Sequence, residues 1–257
     1  MPDDIAACAE IVRRADPERF RAVMAAPVAA RERLFPIYAF NVEVARAPWV
    51  TAEPLIAEMR LQWWRDALAE IAAGGPVRRH EVATPLAQAV GAGDVALLDA
   101  LVEARRWDIH REPFADLQAF RAHIAATTGN LLLVAARALD GAVPEGPVHA
   151  AGYAQGLANW LRAVPALSAA NRAPLVDDRA KAMCALAEEG LGELSRARKA
   201  RGQVPRAARP ALLAVWPAGP VLAAARAEPA RVAEGRLEPA PAISRLRLIA
   251  RAATGRW

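Results

Sequence analysis

The 257-residue chain is poor in several things, and each shortage excludes something. Cys8 and Cys184 are its only cysteines. Two thiols so far apart exclude a disulfide framework and a cysteine-built zinc site, and they point to a reducing compartment. Lys181 and Lys199 are the only lysines, so arginine carries nearly all the positive charge. No stretch approaches the roughly 20 consecutive apolar residues of a membrane span. The start, Met1-Pro2-Asp3-Asp4, is acidic and lacks the apolar core of a signal peptide. These features place the protein in the cytoplasm, in reach of the inner face of a membrane. No segment alternates apolar and polar residues with a period of two, so no strand is predicted.

What the chain does have is alanine, leucine and valine in a composition that is 54% apolar. Ala and Leu lose little side-chain entropy in a helix, and 20 prolines cut the chain into helix-length pieces. The reading is all-α, one domain over residues 1–257. Helical patterns begin near Ile5, break at Asp16-Pro17, and run from Phe20 to Ala25, over 29–46 and from Leu55 to Ala73. Further helices are predicted near 82–91, 94–111, 114–139, 147–164, 177–201, 206–214, 218–226 and 241–253. The Gly/Pro joints at 141–147 and 202–205 are too short to separate domains, and no internal repeat is present.

Charge is unevenly placed. Residues 1–190 carry 20 basic and 24 acidic side chains, whereas 191–257 carry 13 and 4. An excess of this kind fits a membrane surface, a nucleic acid or an acidic protein, or simply a solvated arginine-rich face. Within Ile243–Arg251, Ile243, Leu246 and Ile249 or Ala250 recur at helical spacing, flanked by Arg245, Arg247 and Arg251. Such a helix either lies on an anionic bilayer or partner, or closes the core with its arginines in water.

Catalytic signals are few. His80, His110, His123 and His149 lack metal-ligand spacing, and neither a nucleophile elbow nor a phosphate loop is present. Asp177-Asp178, beside Arg179 and Lys181, reads as a helix cap. Two polar stripes interrupt otherwise apolar helices. His123, Thr127 and Asn130 share one face, and Asn159 and Arg162 lie one turn apart near Tyr153 and Gly156. Buried polar groups need partners. Neighbouring helices satisfy that need in the usual case, and an interior cavity is the other way. Arg60 to Asp66 is the densest aromatic patch, with Trp63 and Trp64 about 100° apart on a helix.

Several of these segments resemble the squalene/phytoene synthase family, in the family's order. Tyr38-Ala39-Phe40 resembles the start of its first aspartate-rich helix, and Arg60-Leu61-Gln62-Trp63-Trp64-Arg65 resembles its Arg-Leu-x-Trp-Trp-Arg helix. Thr127-Thr128-Gly129 is similar to a turn of its central helix. Asn159-Trp160-Leu161-Arg162 is similar to the approach to the second motif, with Arg172 matching the arginine that follows. The resemblance implies an all-α isoprenoid synthase fold around a central cavity, lined here by Tyr38, Asn41, Trp64, His123, Thr127, Asn130, Asn159 and Arg162.

The departures concern metal. Active members hold magnesium between two aspartate-rich motifs, because magnesium takes oxygen ligands that neutralise a departing diphosphate. The first motif's positions fall here on Ala45, Arg46 and Trp49, the second's on Ala163 and Leu167. No metal or other cofactor is expected; magnesium enters only if the chain condenses prenyl diphosphates with ligands from elsewhere, such as Glu43, Glu58 or Asp66. Ala39-Phe40-Asn41-Val42-Glu43 and Leu161-Arg162-Ala163-Val164-Pro165 resemble a non-catalytic subgroup, that of the mitochondrial respiratory complex I assembly factor. That resemblance implies an interaction protein for a membrane respiratory complex, with a subunit or assembly protein as partner and with peripheral membrane contact. A third reading is a carrier that binds an isoprenoid lipid without reacting it. No nucleic-acid partner is expected.

Overall fold

The computed structural model describes residues 2–110, 112–238 and 241–257, with side chains described for 3–110, 112–238 and 245–257. Helix α1 (Pro2–Ala15) is followed after a single residue by α2 (Pro17–Met24). Asp16 makes that break: its carboxylate accepts the Arg19 backbone N–H at 2.9 Å, and Pro17 takes the first-turn position where it needs no N–H. Helix α3 (Val28–Arg46) runs through Pro36 and ends in a tight turn over Ala47–Trp49. Helix α4 (Pro54–Ala73) starts on a tolerated proline and stops at Gly74, whose φ of 68° is the left-handed conformation of a helix end.

The next four helices are short: α5 (Ala83–Ala89), α6 (Val95–Ala104), α7 (Trp107–His110) and α8 (Leu117–Ile124). A π-helical turn over Ala125–Gly129 leads into α9 (Asn130–Arg137). Helix α10 (Glu145–Ala169) is the longest and passes through Pro165; α11 (Ala180–Lys199) runs back along it. The chain closes with α12 (Arg209–Leu212), α13 (Ala218–Ala227), α14 (Ala230–Ala233) and α15 (Pro241–Thr254). Among the described residues there is no strand.

Helix α10 is the axis of the core. It packs on α9, α11, α13 and the π turn, while α3 packs on α1, α5 and α9. One side of α10 is buried along most of its length, from Val148 through Leu157 and Leu161 to Leu167. At Gly152 a Cβ would lie 2.9 Å from both the Gly129 Cα and the Thr128 carbonyl oxygen, so only glycine permits that approach.

Three expected helices are built differently. The 94–111 segment turns at Arg105-Arg106, where the Asp108 N–H bonds back to the Arg105 carbonyl at 3.0 Å and a new short helix begins. The 114–139 segment starts only at Leu117, capped by Asp116, whose carboxylate accepts from Ala119 N–H at 2.7 Å. The 206–214 segment is helical only over four residues, followed by a tight turn at Leu213–Val215. Helix α14 was not anticipated. The apolar stretch Arg209–Ala227 has the length and composition of a membrane span, but it is broken at this turn. Leu212, Val215, Trp216, Val221 and Leu222 from it are buried in the core.

Candidate functional site

The end of α3 brings three of the expected residues together. Asn41, Ala45 and Trp49 line a groove of about 580 Å³ between α1 and α3, with Ile11 and Val42 on its floor and Arg14 on its rim. Two of them, Ala45 and Trp49, are positions that the resemblance matches to the first metal-binding motif. Tyr38 lies deeper on the same helix. It is fully buried, its hydroxyl donates to the Ala211 carbonyl at 3.5 Å, and the Arg19 guanidinium sits over its ring. Burial pushes its phenol up to about 12.

An aromatic wall is built from α7, the loop after it, α8 and α10. Trp107 and Phe114 stack with ring centres 4.5 Å apart, and Phe120 and Trp160 pack against Phe114. His123 lies among them, 5.1 Å from Trp160 and 5.3 Å from Phe114. Desolvation, with Arg105 nearby, pulls its imidazole down to about 3, so the ring is neutral. Its Nε2 is buried and without a hydrogen-bond partner. The other members of that stripe are satisfied by backbone: the Thr127 hydroxyl donates to the His123 carbonyl at 2.7 Å, and the Asn130 amide to the Leu97 carbonyl at 3.1 Å.

The remaining candidates lie apart. Trp64 meets Phe40 edge-on at 5.2 Å and Trp63 at 4.8 Å, bordering a separate groove with Glu43, Arg60 and His80. On α10, Asn159 is half-buried and Leu167 is in the core, with Ala163 packed against it. Arg162 reaches Glu18 of α2 at 2.7 Å and Glu238 at 2.5 Å. Of the basic C-terminal residues, Arg245 and Arg247 are exposed and Arg251 is half-buried.

One feature was not singled out in the sequence, and a second, Arg172, was named only as a motif match. Trp107 and Phe114 anchor the aromatic wall, and only the density of ring-bearing and charged residues from Trp107 to Phe114 hints at it. Arg172 is buried, 4.4 Å above the Trp49 ring and 5.8 Å from that of Trp107, and donates to the Asp108 carbonyl. A guanidinium over an indole face is an attractive pairing, so this arginine ties the end of α3 to α7.

The donor set does not fit magnesium. Ala45, Trp49, Ala163 and Leu167 offer no side-chain oxygen, and the carboxylates that line the groove are taken: Glu10 binds Arg13 at 2.6 Å, and Asp16 binds Arg19 at 2.7 Å. Among the described residues no three His, Cys, Asp or Glu side chains gather where a metal ion could be held. What the site presents is a groove with apolar walls and the Asn41 amide, edged by the ion-paired Glu10, Asp16 and Arg46 and by Arg14. Beyond Trp49 the surface stays apolar: Trp49 itself is 47% exposed, Leu55 72% and Met59 64%.

A helical bundle with this order of motifs defines a class. The sequence profile of the family described as Squalene/phytoene synthase matches residues 12–179, and the chain belongs to that family. Its fold is that of the isoprenoid synthases. A dehydrosqualene synthase crystal structure superposes with a TM-score of 0.82 at 15% identity, covering 98% of this chain and 96% of that one. The squalene synthase HpnC from Alicyclobacillus acidocaldarius superposes with a TM-score of 0.72 at 17% identity, covering 88% and 94%. Curated relatives in sequence are of another kind. The human "NADH dehydrogenase (ubiquinone) complex I, assembly factor 6" is 28% identical over 163 residues, 62% of this chain and 48% of that protein. Its Drosophila melanogaster homolog is 30% identical over 182 residues, 66% of this chain and 53% of that one. The chain thus spans about half the length of the curated relatives it matches.

Proposed function

We propose that this protein is a non-catalytic member of its family that helps assemble a membrane-bound respiratory NADH dehydrogenase. It would do so by docking onto a subunit or a fellow assembly protein at the cytoplasmic side of the membrane. The observation that carries this reading is the donor set: four positions that would need carboxylates hold Ala45, Trp49, Ala163 and Leu167, and Arg172 occupies the face of Trp49. Without those oxygens no magnesium would be held there to neutralise the charge on a departing diphosphate. The similarity to complex I assembly factors supports the assembly role, and the exposed Trp49, Leu55 and Met59 supply apolar area for a protein contact.

Two measurements test it. Incubated with magnesium or manganese and farnesyl or geranylgeranyl diphosphate, the purified protein should give no squalene, phytoene or cyclopropyl intermediate; metal-dependent turnover would refute the non-catalytic reading. Affinity capture from detergent extracts of native membranes should recover NADH dehydrogenase subunits or assembly proteins, and changing Trp49, Leu55 and Met59 to serine should reduce the yield. Recovery of none of these proteins would sink the assembly role. The apolar floor of the α1–α3 groove also favours a second reading, a non-reacting isoprenoid carrier. Lipid extraction of the purified protein decides it, since a carrier retains an isoprenoid and a pure docking protein does not.

A further inference from the structure

Helix α15 faces two ways. Leu248 is buried, and so is Trp257 beyond the helix end; Arg198 of α11 holds the Trp257 carbonyl through an Nε–H donated at 3.0 Å. Gly255, with φ of 62°, lets the chain turn back to make that contact. On the side away from Leu248, Leu246 and Ile249 are 67% and 63% exposed. At about 100° per residue these two side chains share one face, with Arg245 beside Ile249 and Arg247 on the other flank. Leu248 therefore performs the core-closing role, and the outer stripe is left uncovered by the rest of the fold. Arg251 turns inward toward Arg198; Ile243 lies outside the described side chains.

The segment that carries the outer stripe bears charge of one sign. Residues 239–257 contain Arg245, Arg247, Arg251 and Arg256 and no Asp or Glu. Among the described residues Arg245, Arg247 and Arg256 have no acidic partner. A helix with exposed Leu and Ile between unpaired arginines matches a surface that is apolar beneath and anionic on top. Nucleic acid would use the arginines and leave the apolar stripe in water. We propose that α15 docks on an anionic phospholipid bilayer, with Leu246 and Ile249 entering the headgroup boundary and Arg245, Arg247 and Arg256 meeting lipid phosphates. This deepens the assembly reading, on which it rests only for the membrane-side location.

The test is co-sedimentation of the full chain with vesicles of phosphatidylcholine alone and of phosphatidylcholine with phosphatidylglycerol, at low and high salt. Binding should require phosphatidylglycerol and weaken with salt, as screening dictates. Changing Arg245, Arg247 and Arg256 together to Gln should weaken it on the order of a hundredfold, since each near-surface arginine contributes about fivefold. A second variant, Leu246→Ser with Ile249→Ser, alters only exposed side chains and should also lose binding, whereas Arg251→Gln should retain it. Equal recovery on neutral vesicles overturns the proposal, as does the absence of binding. Capture of respiratory subunits in detergent, where no bilayer exists, tests the assembly reading separately. Capture without vesicle binding would remove the bilayer contact and leave the assembly role in place.

Discussion

His123 is a neutral imidazole enclosed by Trp107, Phe114 and Trp160. Unfolded, such a ring takes up a proton near pH 6.5; in the folded protein burial holds it down to about 3. A folded-state value below the unfolded one means that protons favour unfolding. The contribution is therefore intact above about pH 6.5 and is lost progressively as pH falls toward 3. At pH 5 the loss amounts to about 2 kcal/mol relative to pH 7.5. Replacing His123 with Phe keeps a ring in the aromatic wall and removes the titration. Urea unfolding of the two proteins at pH 7.5 and pH 5 should show the wild type losing about 2 kcal/mol more than the variant over that interval. Equal losses would mean that water reaches this ring and that the wall is open. Arg172 belongs to the same neighbourhood, and its guanidinium over Trp49 ties the end of α3 to the aromatic wall.

At the scale of elements, close helix approach depends on which glycines are crowded. A Cβ on Gly152 of α10 would meet the backbone of the π turn at 2.9 Å, whereas one on Gly192 of α11 would meet nothing within 4 Å. Gly152→Ala should therefore destabilise by roughly 1–3 kcal/mol, as overpacking does when backbone must move. Gly192→Ala should stabilise by roughly 0.5–1 kcal/mol, because it lowers the entropy of the unfolded helix segment alone. Urea midpoints measured side by side decide this, and a neutral Gly152→Ala would show that α10 and the π turn are not in contact. The same elements show what the sequence could reveal. Alanine-rich periodicity and the Asp16-Pro17 and Gly74-Gly75 punctuation made the long helices legible, including α3, α4 and α11. The break at Arg105-Arg106 was not, because Val102, Ile109 and their neighbours keep apolar spacing across it. The π turn was hidden too, since Ala125–Gly129 continues a helical pattern and only contact with α10 selects the wider turn. At the site, the sequence named Asn41, Ala45 and Trp49, which line one groove, while the aromatic wall arises from residues brought together by three helices, α7, α8 and α10, and the loop that carries Phe114.

At the scale of the whole molecule, ion pairs between side chains join distant parts of the chain. Arg162 of α10 binds both Glu18 near the start and Glu238 near the end. Arg121 of α8 binds Glu189 of α11 at 2.6 Å, and Tyr153 of α10 donates to the same carboxylate at 2.6 Å. These contacts tie α2, α8, α10 and α11 with internal counter-ions, and the proposed non-catalytic role needs no divalent ion beside them. Stability should then be indifferent to magnesium. A protein that binds an ion only when folded gains RT ln(1 + [L]/Kd). For a site with Kd of about 1 mM, raising magnesium to about 10 mM would add roughly 1.4 kcal/mol. In a chain of this size each kcal/mol moves the melting temperature by about 2–4 °C, so a metal-dependent relative should rise by about 3–6 °C, and further with pyrophosphate present. This protein should shift by less than about 1 °C with magnesium, alone or with pyrophosphate. Differential scanning calorimetry makes the comparison, with an active family member as the positive control. A rise of several degrees that appears only when both magnesium and pyrophosphate are added would reveal a diphosphate-binding metal site assembled from residues other than Ala45, Trp49, Ala163 and Leu167, and would return the protein to the enzymes.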